Sequence, residues 1–136
     1  MATAGYSGTS LFKKLGIKGN TRVHLVNSPP DYFQLLGYNI EAQIVNFDGS
    51  PDLVHLFVTS NKEFEREMKK LEPLYKAQRS MVIWVSWYKK TSGLNTDLTE
   101  DTIRAYALAN DLVDIKVCAV SDSWSGLKLV VPKSKR

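Results

Sequence analysis

The segment spanning residues 81–100 constrains the fold of this chain most strongly. A nearly continuous apolar run, residues 81–87, breaks into two lysines, a hydroxyl-rich turn and then a helix start. A strand without polar alternation is typical of burial on both faces of a parallel sheet. In open α/β sheets the ligand crevice forms beyond the carboxyl ends of such strands. The segment therefore predicts a buried parallel strand and the position of a site.

Strand and helix patterns alternate along the rest of the chain. The predicted strands span residues 21–27, 43–47, 53–59, 81–87, 113–120 and 127–131, and the predicted helices span residues 11–15, 31–36, 61–75 and 99–109. In the third helix, Ser60 and Glu63 predict a capping box, and its apolar stripe is Phe64, Met68, Leu71 and Tyr75.

This order of elements predicts a single α/β domain, Rossmann-like and mainly parallel. The last two strands share a six-residue turn, which predicts a C-terminal antiparallel hairpin. The arrangement resembles a reduced class I methyltransferase topology. The last strand is expected either at an edge of the sheet or inserted within it.

Length and composition indicate one globular domain of ordinary hydrophobic content, 43% of 136 residues. We expect the domain to span residues 11–132, with a loosely held segment at 1–10 and a basic tail at 133–136. Cys118 is the single cysteine, which excludes an internal disulfide and predicts a reduced, buried thiol. The chain lacks a signal-peptide pattern and the ~20-residue apolar stretch of a membrane span. We therefore expect a cytoplasmic protein with no membrane partner.

The net charge of +4 and the pI of about 9.2 do not by themselves indicate nucleic-acid binding. Lys133, Lys135 and Arg136 carry +3 of that charge, so the rest of the chain is close to neutral. The sequence therefore disfavours a nucleic-acid partner. Weak binding through the basic tail stays as an alternative.

Several short motifs occur together along the chain. They include Lys-Lys-Thr-Ser-Gly at residues 89–93 and Trp-Ser-Gly-Leu-Lys-Leu at residues 124–129. Further ones lie at residues 6–9, 13–17, 52–59, 84–87, 96–101 and 116–120. Together they resemble an uncharacterised bacterial family, domain of unknown function 3052. The resemblance covers nearly the whole chain and implies no activity.

The turn after the first strand differs from that of a methyltransferase. Such enzymes resemble one another in a glycine-rich turn at this position, whereas residues 27–30 read Asn-Ser-Pro-Pro. Pro29 and Pro30 have no N–H to offer an anion, and Asp31 adds a carboxylate at the same helix start. Ser28 is expected to cap that helix, with Asp31 completing a capping box. We predict no cofactor, S-adenosylmethionine included.

Polar and charged side chains follow the ends of several predicted parallel strands, which should meet at one edge of the sheet. The candidate ligand-binding residues are Asn27, Ser28, Lys89, Lys90, Ser92, Asp122 and Trp124. Two ammonium groups beside hydroxyls and an aromatic face suit a small anionic ligand. We therefore expect a non-catalytic module that binds a small ligand or a protein at this edge. The alternatives are an enzyme acting on a small anionic substrate, a degenerate methyltransferase-like protein, and an ordinary solvated loop.

No residue pattern indicates a metal site or a catalytic set. His24 and His55 lie in apolar strands and would face one another if those strands were neighbours, but a metal site needs a further ligand. We expect both to be core histidines with satisfied hydrogen bonds. Ser86 lacks the glycines of a nucleophile elbow. Residues 97–101 supply carboxylates to a helix start, where the helix dipole favours them.

Overall fold

The computed structural model describes residues 9–136. In this part of the chain the strands are β1 (Val23–Val26), β2 (Leu53–Phe57), β3 (Val82–Tyr88), β4 (Val113–Ala119) and β5 (Trp124–Val130). The α-helices are α1 (Leu11–Lys14), α2 (Tyr32–Leu36), α3 (Asn61–Ala77) and α4 (Glu100–Ala109). Single 3₁₀ turns lie at Glu41–Gln43, Lys90–Ser92 and Lys133–Lys135.

The five strands form one sheet in the order β1-β2-β3-β5-β4. β1, β2 and β3 pair in parallel, whereas β5 pairs antiparallel with both β3 and β4. The predicted α/β class is confirmed, but the sheet is mixed rather than mainly parallel because β5 makes two of the four pairings. β5 lies inside the sheet, which leaves β4 at one edge and β1 at the other.

The strand predicted at residues 43–47 is wrong. A single parallel bridge joins Val23 to Ile44, and the Val45 N–H donates to the Val23 carbonyl at 2.8 Å. His24 then donates from Nδ1 to the Val45 carbonyl at 3.0 Å, so a side chain occupies the acceptor that a strand would use. The Gly49 N–H bonds the Asn46 carbonyl at 3.0 Å and turns the chain away from the sheet.

The sheet separates two apolar cores. On one face, α3 and α4 pack over residues that include Val54, Leu56 and Ile83. The predicted stripe of α3, which is Phe64, Met68, Leu71 and Tyr75, is buried there. On the other face, α1 and α2 cover Phe57 and Trp84. The Trp84 indole donates to the Leu15 carbonyl at 3.0 Å and fixes the end of α1 to the sheet.

The predicted cap of α3 is confirmed and that of α2 is wrong. Ser60 Oγ accepts from the Glu63 N–H at 3.1 Å, and Glu63 Oε1 accepts from the Thr59 N–H at 2.8 Å. In α2, however, the N-cap is Asp31, which makes no side-chain capping bond. A turn in which the Tyr32 N–H bonds the Pro29 carbonyl at 3.1 Å precedes this helix, so Ser28 lies too early to cap it.

The two chain ends differ in what the structure describes. Most of the segment predicted at residues 1–10 lies outside the described residues, and within them Ser10 Oγ caps α1. The basic tail is bonded to the body. Lys135 contacts Asp111 at 2.7 Å, and Arg136 donates to the Val131 carbonyl at 2.9 Å. Among residues 9–136 no helix has the length and apolar character needed to cross a membrane.

Candidate functional site

The carboxyl ends of β1, β2, β3 and β4 and the start of β5 lie at one edge of the sheet, called here the C-terminal edge. This follows from the pairing, because β5 runs opposite to its two neighbours and β4 therefore points the same way as β3. The loop after β3 is fixed to the turn between β4 and β5 by a bond of 2.9 Å from the Lys89 N–H to the Ser123 carbonyl. The predicted edge therefore exists.

A groove of about 560 Å³ lies between the end of β3 and the start of α4. We call it the β3–α4 groove. The candidate residues Lys89 and Lys90 line it. Its other lining residues include Trp87, Thr91, Leu94, Asn95, Thr96, Thr99, Glu100, Asp101 and Ser125.

The candidate residue Ser92 holds the loop rather than facing the groove. Its Oγ donates to the Lys89 carbonyl at 2.7 Å and accepts from the Leu94 N–H at 3.1 Å. Gly93 follows with a φ of 75°, a left-handed conformation that favours glycine. Ser92 and Gly93 therefore shape the turn that presents the two lysines.

Charges in the groove are unevenly paired. Arg104 forms ion pairs with Glu100, Asp101 and Asp114. Lys89 and Lys90, by contrast, have no carboxylate in an ion pair with them within the described part of the chain. The lysines are therefore the groups in this groove whose charge is not already engaged.

The remaining predicted site residues lie at the same edge but do not line the β3–α4 groove. Asp122 and Trp124 line a hollow of about 270 Å³ together with Pro29 and Asp31. The Trp124 ring packs edge-on against Phe57, with ring centroids 5.0 Å apart. The structure thus separates these two residues from the lysines.

Asn27 and Ser28 are not part of either hollow. Asn27 lines a third depression with His24 and Phe47, and its side-chain amide lies 3.5 Å from the Phe57 carbonyl. Its φ of 57° places it in the left-handed region, where asparagine is tolerated. Ser28 is half-buried in the turn after β1 and lines none of the three concavities.

Two side chains that the sequence does not single out, Asp97 and Thr96, join the lining of the groove to α3. The sequence predicts Asp97 at the start of α4, but its Oδ1 accepts from the Asn61 N–H at 2.8 Å and so caps α3. Thr96 Oγ1 donates to the Thr59 carbonyl at 2.8 Å. These partners lie more than thirty residues away in sequence, so no local pattern signals them.

The starts of the three helices at this edge are closed to an outside anion. Pro29, Pro30 and Asp31 precede α2, and the Asp97 carboxylate occupies the start of α3. Thr99 caps α4, accepting from the Thr102 N–H at 3.2 Å. An anion at this edge would therefore meet side chains rather than a cradle of free backbone N–H groups.

A buried polar line crosses the sheet on the α1 and α2 face. Tyr32 Oη lies 2.7 Å from His55 Nδ1, and His55 Nε2 lies 2.7 Å from Ser86 Oγ. Burial lowers the pKa of His55 to about 3 and raises the pKa of Tyr32. His55 and Ser86 have no solvent exposure. The prediction of a core histidine with satisfied hydrogen bonds is confirmed for His55.

The two histidines do not face one another. His24 is in register with Val54, and His55 is in register with Leu25, so the imidazoles lie on opposite faces of the sheet. Cys118 is half-buried rather than buried. Among residues 9–136, no group of three His, Cys, Asp or Glu side chains is arranged to hold a metal ion.

The fold places the chain among Rossmann-like α/β proteins. No family model matches it, and no curated protein matches it. It is similar to the crystal structure of a protein in the NADB-Rossmann superfamily from Streptococcus agalactiae, with a TM-score of 0.54 and 12% sequence identity. The match covers 93% of this chain and 69% of that chain. At this identity the likeness shows the fold alone.

Proposed function

We propose that this protein is a non-catalytic binding module that holds a small anionic ligand in the β3–α4 groove. The observation that carries the proposal is the pair of lysines, Lys89 and Lys90, whose ammonium groups have no ion-pair partner in the described part of the chain. Within α4, Arg104 engages Glu100 and Asp101, two carboxylates that line the same groove. An anion can therefore bind at the lysines without first displacing an internal carboxylate.

The closed helix starts support binding through side chains. A dinucleotide site of the Rossmann type uses a glycine-rich turn and an open helix N-terminus for the pyrophosphate. Here the corresponding turn contains Pro29 and Pro30, and Asp97 already fills the start of α3. The edge therefore lacks the two features that bind a pyrophosphate in a Rossmann-type dinucleotide site.

The groove lining favours an anion that also carries hydrogen-bond donors. Glu100 and Asp101 line the groove along with the two lysines, and carboxylates accept hydrogen bonds. A phosphorylated or carboxylated metabolite with hydroxyl or amino groups has this combination. The volume of about 560 Å³ is within the range of ligand pockets for small molecules.

The topology supports a more specific fold proposal. The antiparallel β5 lies between β3 and β4. On the outer side of β1, the single parallel bridge between Val23 and Ile44 takes the position of a further parallel strand. This arrangement resembles a class I methyltransferase sheet that has lost its outer strands. Membership of the uncharacterised bacterial family and action in the cytoplasm remain proposals that rest on the sequence motifs and the single cysteine.

A thermal-shift screen tests the ligand proposal. The panel contains nucleotides, S-adenosylmethionine, inorganic phosphate and phosphorylated metabolites. A ligand at a hundred times its dissociation constant adds roughly 2.7 kcal/mol to the free energy of unfolding. For a domain of this size we expect a rise of roughly 8–11 °C in Tm. The double variant Lys89→Ala/Lys90→Ala should abolish that rise.

A matched control separates the site from general charge effects. Lys62 and Lys69 are exposed on α3, so Lys62→Ala/Lys69→Ala removes the same charge away from the groove. This variant should keep the ligand-induced shift. Equal loss in both variants, or no shift with any member of the panel, would contradict the proposal. Conversion of a bound ligand to product would show that the protein is an enzyme.

A further inference from the structure

The face of β4 and β5 on the α1 side carries lysines that face one another. Lys116 is directly opposite Lys128 in the antiparallel register. Like charges directly opposite across a strand pair destabilise a sheet. No carboxylate in the described residues forms an ion pair with either lysine. The chain therefore holds an unfavourable charge pair that no internal acid offsets.

Lys14 extends this cluster, and we call Lys14, Lys116 and Lys128 the basic face. Cys118 lies two residues beyond Lys116 and packs against the α1 and α2 core, which puts Lys116 on the same side. The positive charges of Lys14, Lys116 and Lys89 act on the Cys118 thiol, opposing the effect of its burial on the pKa. Lys14 ends α1, so the basic face spans the helix and the two strands.

The helix that packs on β4 leaves this face uncovered. α4 lies on the opposite side of the sheet, where Arg104 bonds Asp114 at 3.0 Å. Asp114 is in register with Leu129, a member of the α3 and α4 core. Lys116 is exposed and Lys128 is half-buried.

Aromatic rings border the basic face at the C-terminal edge. Trp124 and Lys128 are four residues apart on β5 and so share a face. Tyr88 is opposite Trp124, with ring centroids 4.5 Å apart, and both rings are half-buried. Lysines beside aromatic rings match single-stranded nucleic acid, whose backbone is anionic and whose unpaired bases stack on such rings. An acidic peptide would bind the lysines through its carboxylates and would not require the aromatic rings.

We infer that the basic face, together with Trp124 and Tyr88, binds single-stranded nucleic acid. The net charge of the chain does not reveal this surface, because Lys14, Lys116 and Lys128 are three of its 18 basic residues. This surface shares Tyr88 with the lining of the β3–α4 groove, but Lys14, Lys116 and Lys128 do not line that groove, so substitutions of Lys116 and Lys128 test it separately from Lys89 and Lys90. Binding is expected to depend on phosphate contacts and not on base sequence.

Fluorescence anisotropy with labelled dT20 and rU20 tests the inference across a salt series. Each phosphate contact on a single strand contributes about −0.7 to the slope of log K against log salt. Three lysines predict a slope of about −2, and Lys116→Glu/Lys128→Glu should reduce it to about −0.7 or abolish binding. The milder Lys116→Gln/Lys128→Gln variant should weaken binding in the same direction. The glutamine variant removes the repulsive pair, so its Tm should not fall, whereas the glutamate variant places two carboxylates opposite one another and keeps a like-charge pair.

The control Lys62→Glu/Lys69→Glu makes the same charge change on α3 and should leave the slope near −2. Tryptophan fluorescence gives a second readout, because Trp84 and Trp87 are 0% and 7% exposed and quenching by bases would report Trp124. Three results would overturn the inference: no binding to either oligonucleotide, an equal loss in the control, or equal displacement by polyglutamate. The last would assign the face to an acidic protein.

Discussion

Acidification should destabilise this protein through one buried imidazole, and replacing His55 should remove that sensitivity. His55 is fully buried, and burial lowers its pKa from 6.5 to about 3. Below pH 6.5 the unfolded chain binds a proton at this residue and the folded chain does not. Stability that is fully present above pH 6.5 is therefore lost progressively as the pH falls towards 3.

The size of the effect follows from the shift. One unit of difference in pKa is worth about 1.4 kcal/mol, so His55 alone should cost roughly 2 kcal/mol between pH 6.5 and pH 5. His55→Gln loses bonds to Tyr32 and Ser86 and should be less stable at pH 7 by about 1–3 kcal/mol. The gap between the two proteins should then shrink by roughly 2 kcal/mol at pH 5.

Urea unfolding at pH 7, 6 and 5, followed by far-UV circular dichroism, measures both free energies. Other titrating groups are common to the two proteins and cancel in the difference. His24→Gln is the matched control and should keep the steep dependence of the parent, because it leaves His55 in place. If the free energies of the parent and His55→Gln run parallel from pH 7 to pH 5, the argument from a buried neutral imidazole is refuted.

Three further substitutions test separate contacts by urea unfolding at pH 7. Tyr32→Phe removes the hydroxyl 2.7 Å from His55 Nδ1 and should cost about 1–3 kcal/mol, and an unchanged free energy would show that this bond adds nothing. Asp97→Ala removes the acceptor of the Asn61 N–H and should lower the free energy of unfolding by about 1 kcal/mol. The control Asp122→Ala should lower it by less than about 0.5 kcal/mol. Equal losses in the two variants would contradict a capping role for Asp97. Gly126→Ala would place its Cβ 3.0 Å from Val120 Cγ2 and 3.3 Å from Trp84 Cε3, so we expect the free energy of unfolding to fall by about 1–3 kcal/mol. An unchanged free energy would mean that the neighbouring side chains rearrange at no cost.

Local patterns in the sequence predict most elements of this fold. The apolar runs mark β2, β3 and β4 to within a few residues, and Ser60 with Glu63 marks the start of α3. The false strand at residues 43–47 shows the limit of such patterns. Its apolar residues fit a strand, but the His24 side chain takes the Val45 carbonyl and ends the ladder after one bridge.

The candidate site is predictable as an edge but not as a set of contacts. Lys89 and Lys90 follow a buried parallel strand, so their place at the C-terminal edge follows from the topology. The separation of the two lysines from Trp124 does not follow from the topology, because it depends on the face of the sheet on which each side chain lies. The capping of α3 by Asp97 is likewise a long-range contact that competes with an equally good local role at the start of α4.

Backbone amide chemical shifts during a titration with pyrophosphate test whether Lys89 and Lys90 form an anion-binding site. Pyrophosphate is a compact anion that binds mainly through its negative charge, so its binding reports where the protein binds anions. We expect saturable shifts confined to residues 87–101, and their loss in Lys89→Ala/Lys90→Ala. Saturable shifts centred on residues 29–35 and 121–124, or no saturable shifts at all, would contradict this prediction.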